Sequence, residues 1–174
     1  MDKLSFSIFP FTITLHGEHG VVTRIELKIG ERKSDISNTS SPGYLISLKH
    51  QILEYIQGKK VEWNVNIALK KGTEFQQRVW TVCQQIPFGE IRSYKWVADK
   101  IGKPKAIRAV GYALSKNPFP IVIPCHRIIR KDGKLGGFSC GLEVKRELLM
   151  LEGHRILTPS HLRQKIDREC GELV

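Results

Sequence analysis

The sequence has no long apolar run and no signal for export. Among its 174 residues no stretch of about 18 apolar residues occurs, which excludes a membrane-spanning helix. The first eleven residues, MDKLSFSIFPF, carry an acid and lack the basic start and apolar core of a secretory signal peptide. With 41% hydrophobic and 26% charged residues, the composition is that of a globular protein, and we expect it in the cytoplasm.

Cysteine is scarce, and its spacing does not suit a metal. The sequence contains no CxxC pair, and the HxxH formed by His16 and His19 has no further cysteine or histidine pair nearby. We therefore expect no metal and no other cofactor. In a reducing compartment each thiol is either a core residue or reactive. The four cysteines are Cys83, Cys125, Cys140 and Cys170.

Acidic residues are also few, with 17 Asp and Glu against 28 Lys and Arg. The imbalance is concentrated in residues 72–156, which carry 15 basic and 7 acidic side chains; residues 1–71 carry 10 and 7, and residues 157–174 carry 3 and 3. A basic excess of this size favours a polyanionic partner such as nucleic acid, although a solvated basic surface gives the same count.

The hydrophobic pattern predicts an α+β fold with a boundary near residue 71. Residues 1–71 read as a small α/β domain, with strand-like alternation at 4–15, 21–29 and 61–69, a polar loop at 31–43 and a helix at 44–58. This part contains no pattern typical of a catalytic site. Residues 72–156 read as a mostly helical domain, with helices at 74–86, capped by Thr73, and at 142–153, and residues 157–174 form a tail.

Two further helical segments predict a helix-turn-helix. Residues 93–102, with Ser93 as a possible cap, and residues 106–117 are separated by the short turn GKPK. The outer face of the second helix is basic but small in volume, so its backbone can approach a surface closely while Arg108 projects beyond it. Two ordinary packed helices have the same spacing, but the charge favours DNA. This face carries Arg108, Tyr112, Ser115 and Lys116, bordered by Ala109 and Gly111.

The stretch PIVIPCHRII, residues 120–129, places reactive side chains inside an apolar segment. Its prolines predict a rigid, extended, strand-like conformation. His126 can activate the thiol of Cys125 through a bridging water or a turn, because a neighbouring base raises the thiolate fraction. A packed cysteine beside a surface histidine is the alternative. Arg127 has no evident chemical role, and we assign it to the contact between the two domains.

Glu152 falls on the apolar face of the helix at 142–153. A carboxylate on a buried face is costly unless it is paired. His126 is a candidate partner, which would give a Cys–His–Glu relay suited to nucleophilic catalysis. Lys145 or a backbone amide would also satisfy Glu152.

These residues lie within a long motif that resembles the O6-alkylguanine-DNA alkyltransferase family. IPCHRII is preceded by RAVGYALSKNPFPI and followed by GGFSCGLEVKRELLMLEG, and the likeness is continuous from about Gly72 to His154. The resemblance implies a monomeric, winged-helix-like repair protein that binds the minor groove of double-stranded DNA. It would flip an O6-alkylated guanine out of the stack and transfer the alkyl group irreversibly to its own cysteine, once per molecule.

The resemblance also implies roles for individual residues. Cys125 would accept the alkyl group, His126 would remove its proton through a water, and Glu152 would orient that histidine. Asn117 would join the recognition helix to the active-site strand, and Tyr94 would donate a proton to the purine. Arg108 would be the finger, the side chain that fills the gap left in the DNA by the flipped base. The other positions that match DNA contacts are Ala109, Gly111, Ser115 and Ser93, and those that match the base pocket are Ile128, Phe138, Ser139 and Lys145.

Two positions depart from the family, and two other functions stay open. Phe138 stands where many relatives carry tyrosine, and Cys140 stands where others carry small or variable residues. A DNA-binding regulator whose Cys125 senses alkylation or oxidation would share the basic helices. A cysteine hydrolase would share the Cys–His–Glu relay but would not need those helices.

Overall fold

The computed structural model describes residues 1–30 and 41–155 and has the α+β fold that the sequence predicted. The strands are β1 (Asp2–Ile8), β2 (Phe11–Glu18), β3 (Val21–Ile29), β4 (Arg92–Ser93) and β5 (Ile128–Ile129). The helices are α1 (Gly43–Ile56), α2 (Glu74–Gln84), α3 (Tyr94–Lys100), α4 (Ile107–Ser115) and α5 (Leu142–Leu151). Most of the loop predicted at 31–43, and the whole tail at 157–174, lie outside the described residues. No helix in the described part of the chain is long and apolar enough to cross a membrane.

The first three strands form an antiparallel sheet in the order β1-β2-β3. Residues 4–15, predicted as one strand, belong to two strands that turn back on each other at Pro10, because proline cannot donate to a strand ladder. Along β2, Phe11, Ile13 and Leu15 are buried and alternate with less buried residues, so one face of the sheet covers the core.

The strand predicted at 61–69 is absent. Residue Ile67 makes only an isolated bridge to Val22, and a 3₁₀ turn follows at Leu69–Lys71. The side-chain amide of Gln51 takes the place of a neighbouring strand, since it accepts from the backbone N–H of Asn64 at 2.8 Å and donates to its carbonyl at 3.2 Å. The alternating pattern at 61–69 therefore belongs to an irregular segment that is half-buried.

The helix following Thr73 begins where the sequence predicted. The Thr73 hydroxyl accepts from the backbone N–H of Gln76 at 3.3 Å, and the Gln76 side chain accepts from the Thr73 N–H at 2.9 Å, which is a capping box. Cys83 on this helix is completely buried, as expected for a core residue. Helix α2 packs against α3 and α4, and the Trp80 indole donates to the carbonyl of Ala113 at 2.9 Å.

The reactive segment is not the extended strand that the sequence predicted. The chain turns between Pro118 and Pro124, forms a 3₁₀ turn at Cys125–Arg127, and only then enters β5. Its three prolines lack the N–H groups that a strand ladder needs. Ile121 is buried at φ 75°, a conformation unfavourable for a β-branched side chain, so the surrounding packing holds this turn. Because β5 pairs in parallel with β4, Ile129 lies beside Ser93, the residue before α3.

The two predicted domains share one apolar core among the described residues. The backbone N–H of Ile25 in β3 donates to the carbonyl of Pro118 at 2.8 Å, so the sheet is joined directly to the segment that leads to Cys125. Division of the chain at residues 71 and 72 remains a prediction.

Replacing Thr73 with alanine should lower the free energy of unfolding by about 1 kcal/mol, because the backbone N–H of Gln76 in the first turn of α2 loses its acceptor. Urea denaturation followed by circular dichroism measures this change. Thr81→Ala is the matched control, since Thr81 is exposed within the same helix and makes no cap. An equal loss in both variants would contradict the capping role.

Candidate active site

Cys125 lies at a cavity of about 400 Å³, within the roughly 300–1,000 Å³ usual for small-molecule sites. Tyr94 from α3, Gly111 from α4 and Phe138 from the following loop form its walls. The thiol is therefore at the meeting point of two helices and a loop, and is itself only 4% exposed. The other lining residues are Ile107, Leu114, Ser115, Arg130, Gly136 and Gly137.

The thiol of Cys125 is held by Asn117. The Asn117 side-chain amide donates to Cys125 Sγ and to the carbonyl of Ile123, both at 3.0 Å, and its oxygen accepts from the N–H of Phe119 at 2.9 Å. Asn117 follows the end of α4, so it joins this helix to the reactive segment. Burial raises the pKa of Cys125 to about 11, although the Asn117 hydrogen bond opposes this. At neutral pH the thiol is protonated and needs a base.

His126 has the chemistry of such a base. It is completely buried, and its Nε2 lies 2.8 Å from Glu152 Oε1, which is the contact suggested by the sequence. Burial lowers the pKa of His126, and Glu152 opposes that shift, so the imidazole is neutral at pH 7. Since the carboxylate is an acceptor, the proton lies on Nε2. Nδ1 then carries the lone pair and has no hydrogen-bond partner in the described part of the protein.

Glu152 is the residue at the C-terminal end of α5, and its side chain is fully shielded from solvent. Arg127 donates from Nε to Oε2 and from Nη2 to Oε1, both at 2.9 Å, and the N–H of Gly89 donates to Oε2 at 3.1 Å. Burial raises the pKa of Glu152, but the hydrogen bonds from His126 and Arg127 outweigh it and hold the pKa well below its ordinary value. Arg127, assigned from sequence to the contact between the two domains, fixes this carboxylate and also interacts with Tyr55 of α1.

Sequence reasoning missed Tyr55. Its hydroxyl donates to Glu152 Oε1 at 2.6 Å and lies 3.2 Å from His126 Nε2. Tyr55 belongs to α1, in the part of the chain where no catalytic pattern was found. The available signal was a tyrosine on the apolar face of this helix, because a buried tyrosine hydroxyl usually has a specific partner.

Lys145 and Ile128, two of the predicted pocket residues, lie behind the cavity wall. Lys145 is completely buried and its Nζ donates to the carbonyls of Ile128 and Leu135, both at 2.5 Å. It therefore ties β5 to the loop that carries Phe138 and does not bind Glu152. Burial lowers the pKa of Lys145 to about 8. Ile128 is also completely buried.

The loop after β5 separates the remaining predicted pocket residues. Phe138 lines the Cys125 cavity, whereas Ser139 is exposed and lines a neighbouring cavity of about 520 Å³ together with Cys140 and Asn117. Cys140 is partly buried and is a free thiol, like the other cysteines in the described ranges. Ser139 and Cys140 thus share a cavity with Asn117, the residue that bonds to the reactive thiol.

Tyr94 contributes a hydroxyl to the cavity. Its hydroxyl is 3.4 Å from the carbonyl of Gly137, and burial raises the pKa of Tyr94, so it is a proton donor at neutral pH. Gly136 has φ 69°, and a Cβ there would lie 2.7 Å from the Tyr94 hydroxyl. Glycine is needed at 136 both for the backbone conformation and for the position of Tyr94.

Helix α4, which forms one wall of this cavity, also carries the predicted DNA contacts. Arg108, Ala109 and Ser115 of α4 are exposed, and Gly111 is partly buried against Tyr94. The Ser93 hydroxyl accepts from the backbone N–H of Trp96 at 3.1 Å and so caps α3. Residues 1–30 and 41–155 contain no group of His, Cys, Asp and Glu side chains suited to a metal ion.

Comparison with known proteins identifies relatives of this chain. Residues 74–154 match the family model described as 6-O-methylguanine DNA methyltransferase, DNA binding domain. The methylated-DNA--protein-cysteine methyltransferase of Mycobacterium bovis is 43% identical over 144 residues, which are 82% of this chain and 87% of that protein. The protein of the same name from Methanosarcina mazei is 41% identical over 149 residues, or 84% and 93% of the two chains.

Solved structures agree with this relationship. The crystal structure of Mycobacterium tuberculosis O6-methylguanine methyltransferase has a TM-score of 0.73 at 39% identity and covers 92% of this chain and 98% of that one. That of Mycobacterium tuberculosis OGT in complex with DNA has a TM-score of 0.72 at 40% identity, with coverage of 85% and 90%. The chain belongs to the methylated-DNA--protein-cysteine methyltransferase family.

Proposed function

We propose that this protein repairs DNA by moving the alkyl group of O6-alkylguanine in duplex DNA onto Cys125 Sγ, as a methylated-DNA--[protein]-cysteine S-methyltransferase. One observation carries the proposal: the thiol of Cys125 lies at a cavity between α3 and α4, and the next residue is a buried, neutral histidine whose Nδ1 has no hydrogen-bond partner in the described part of the chain. The relatives named for this reaction support it.

The residues around Cys125 suit a displacement at carbon. The thiol proton passes through a water to Nδ1 of His126, and Glu152 stabilises the resulting imidazolium. The sulfur lone pair then forms a C–S bond as the C–O6 bond breaks, and the electron pair moves onto the guanine. Tyr94 donates a proton to the purine and so lowers the charge on the leaving group. The guanine stays in DNA and the alkyl group stays on sulfur.

Each molecule is expected to act once. The product is a thioether, which is a stable bond, and the sequence offers no feature for restoring the thiol. The protein is then consumed stoichiometrically with the lesion, and no metal or other cofactor takes part in the proposed steps.

The helices α3 and α4 would form the DNA-binding helix-turn-helix of a monomer. Small residues on α4, Ala109 and Gly111, would let its backbone enter the minor groove, with Ser93 and Ser115 nearby as polar contacts. Arg108 is exposed on this face and would fill the gap left by the flipped guanine. The flipped base would reach Cys125 between Tyr94 and Phe138, both of which line the cavity.

The proposed location follows from the substrate. A protein that repairs chromosomal DNA works in the compartment that holds this DNA, and we propose the cytoplasm, as the sequence predicted.

Duplex DNA that contains methyl-labelled O6-methylguanine should transfer one equivalent of label per chain. Cys125→Ala should abolish transfer because no acceptor remains, while DNA binding persists. Peptide mapping of the label and a gel-shift assay measure the two properties. Cys140→Ala, the matched control, should keep transfer. Many turnovers per chain would favour the hydrolase, and DNA binding without transfer would favour the regulator.

His126→Gln should slow transfer at pH 7 by about 100-fold or more, because the thiol loses its base. Since the pKa of Cys125 is about 11, the residual rate should rise about tenfold per pH unit between pH 7 and 9, as the thiolate fraction does. Single-turnover kinetics across this range provide the measurement. His50→Gln, at an exposed position on α1, is the control. A residual rate independent of pH would contradict the role of His126.

Arg108→Ala should slow transfer from duplex DNA by about tenfold or more and leave transfer from a free O6-alkylguanine base nearly unchanged. The reason is that unstacking a base costs a few kcal/mol, which the inserted side chain offsets. Lys105→Ala is the control, because it removes a nearby exposed charge and leaves Arg108 in place. Equal losses on both substrates would rule out a flipping role for Arg108.

A further inference from the structure

We propose that Tyr55 is a positioning residue for alkyl transfer: its hydroxyl, supplied by α1, holds Glu152 and His126 so that Nδ1 of His126 keeps the lone pair that receives the Cys125 proton. This inference rests on the proposed function. It gives the N-terminal part of the chain a share in the reaction, although Tyr55 itself contacts neither the thiol nor the substrate cavity.

The placement of Tyr55 is rigid. The side chain is 1% exposed, and its ring packs against Trp63 and Phe88 with ring centroids 5.8 and 5.9 Å away. The hydroxyl therefore has little freedom. It meets two polar atoms at once, Glu152 Oε1 at 2.6 Å and His126 Nε2 at 3.2 Å.

The position of each proton follows from these contacts. Hydrogen bonds from His126 and Arg127 keep Glu152 ionised, so the carboxylate can only accept, and the Tyr55 hydroxyl donates its proton to it. The Tyr55 oxygen consequently presents a lone pair to Nε2 of His126. Nε2 thus faces two acceptors, and a lone pair on that nitrogen would be repelled by both. The tautomer with hydrogen on Nε2 is selected, and Nδ1 is left as the base.

The hydroxyl stays a donor throughout the reaction. Burial, and after it the charge of Glu152, raise the pKa of Tyr55 well above its ordinary value. The charged groups that face His126 are Glu152, Arg127 and Lys145. The Tyr55 hydroxyl donates to Glu152 and also interacts with Arg127. Its removal acts on His126 chiefly through Glu152, because the carboxylate charge is then concentrated on the imidazole.

The test is Tyr55→Phe, which removes one oxygen and keeps the ring packing. Its single-turnover rate on O6-methylguanine DNA at pH 7 should fall about tenfold, as expected for a lost hydrogen bond to a charged group. The acid limb of its pH–rate profile should move to higher pH, because Glu152 then attracts the imidazolium proton more strongly and raises the pKa of His126.

Tyr44→Phe is the matched control. Tyr44 lies on the same helix, and its hydroxyl also donates to a carboxylate, Asp2 Oδ2 at 2.5 Å, but it is remote from His126 in the network of hydrogen bonds. This variant should transfer label at the rate and with the pH profile of the unmodified protein, while losing a comparable hydrogen bond.

A double substitution separates positioning from general stability. In the His126→Gln background, Tyr55→Phe should change the rate less than about twofold, because the group through which it acts is gone. A tenfold loss that persists in this background, or a Tyr55→Phe protein with an unchanged rate and profile, would overturn the inference. Absence of transfer by the unmodified protein would instead refute the proposed function.

Discussion

The active site depends on one buried carboxylate, Glu152. An isolated carboxylate without access to water is strongly unfavourable, and it is retained only when donors surround it. Here the donors come from distant parts of the chain: Tyr55 on α1, Gly89 after α2, and the 3₁₀ turn of His126 and Arg127. Because all of them must meet at one side chain, satisfying Glu152 also determines where these elements lie relative to one another.

The same arrangement sets the chemistry of the thiol. Burial disfavours both the thiolate of Cys125 and the imidazolium of His126, so both side chains are neutral before reaction. Charge develops only when the thiol proton passes to His126. Glu152 remains ionised and compensates the imidazolium at that moment. Asn117, two residues after the end of α4, donates to the sulfur, so a short segment joins the helix proposed to contact DNA to the nucleophile.

Residues whose partners are close in sequence were predicted correctly. Thr73 and Ser93 cap their helices because each bonds to an N–H three residues later, and Cys83 is buried because the apolar spacing of α2 determines its face. The strands predicted at 61–69 and at 120–127 are absent for a shared reason, while Ile128 and Ile129 do form a strand. Alternating apolar residues and prolines are compatible with a half-buried chain, but a strand also needs a neighbouring strand to bond to. At Asn64 the Gln51 side chain supplies those bonds, and at Cys125–Arg127 the chain forms a 3₁₀ turn.

By itself the sequence determined the α+β class, the capped helices, the adjacency of Cys125 and His126, and the need of Glu152 for a partner. These follow from local periodicity and from the cost of burying charge. Only the tertiary structure decided that Tyr55 joins the site, that Arg127 binds Glu152, and that Ser139 faces a second cavity. Tyr55 lies 71 residues from His126 and 97 from Glu152 in the chain, and contacts over such separations depend on how the core packs, which no local pattern records.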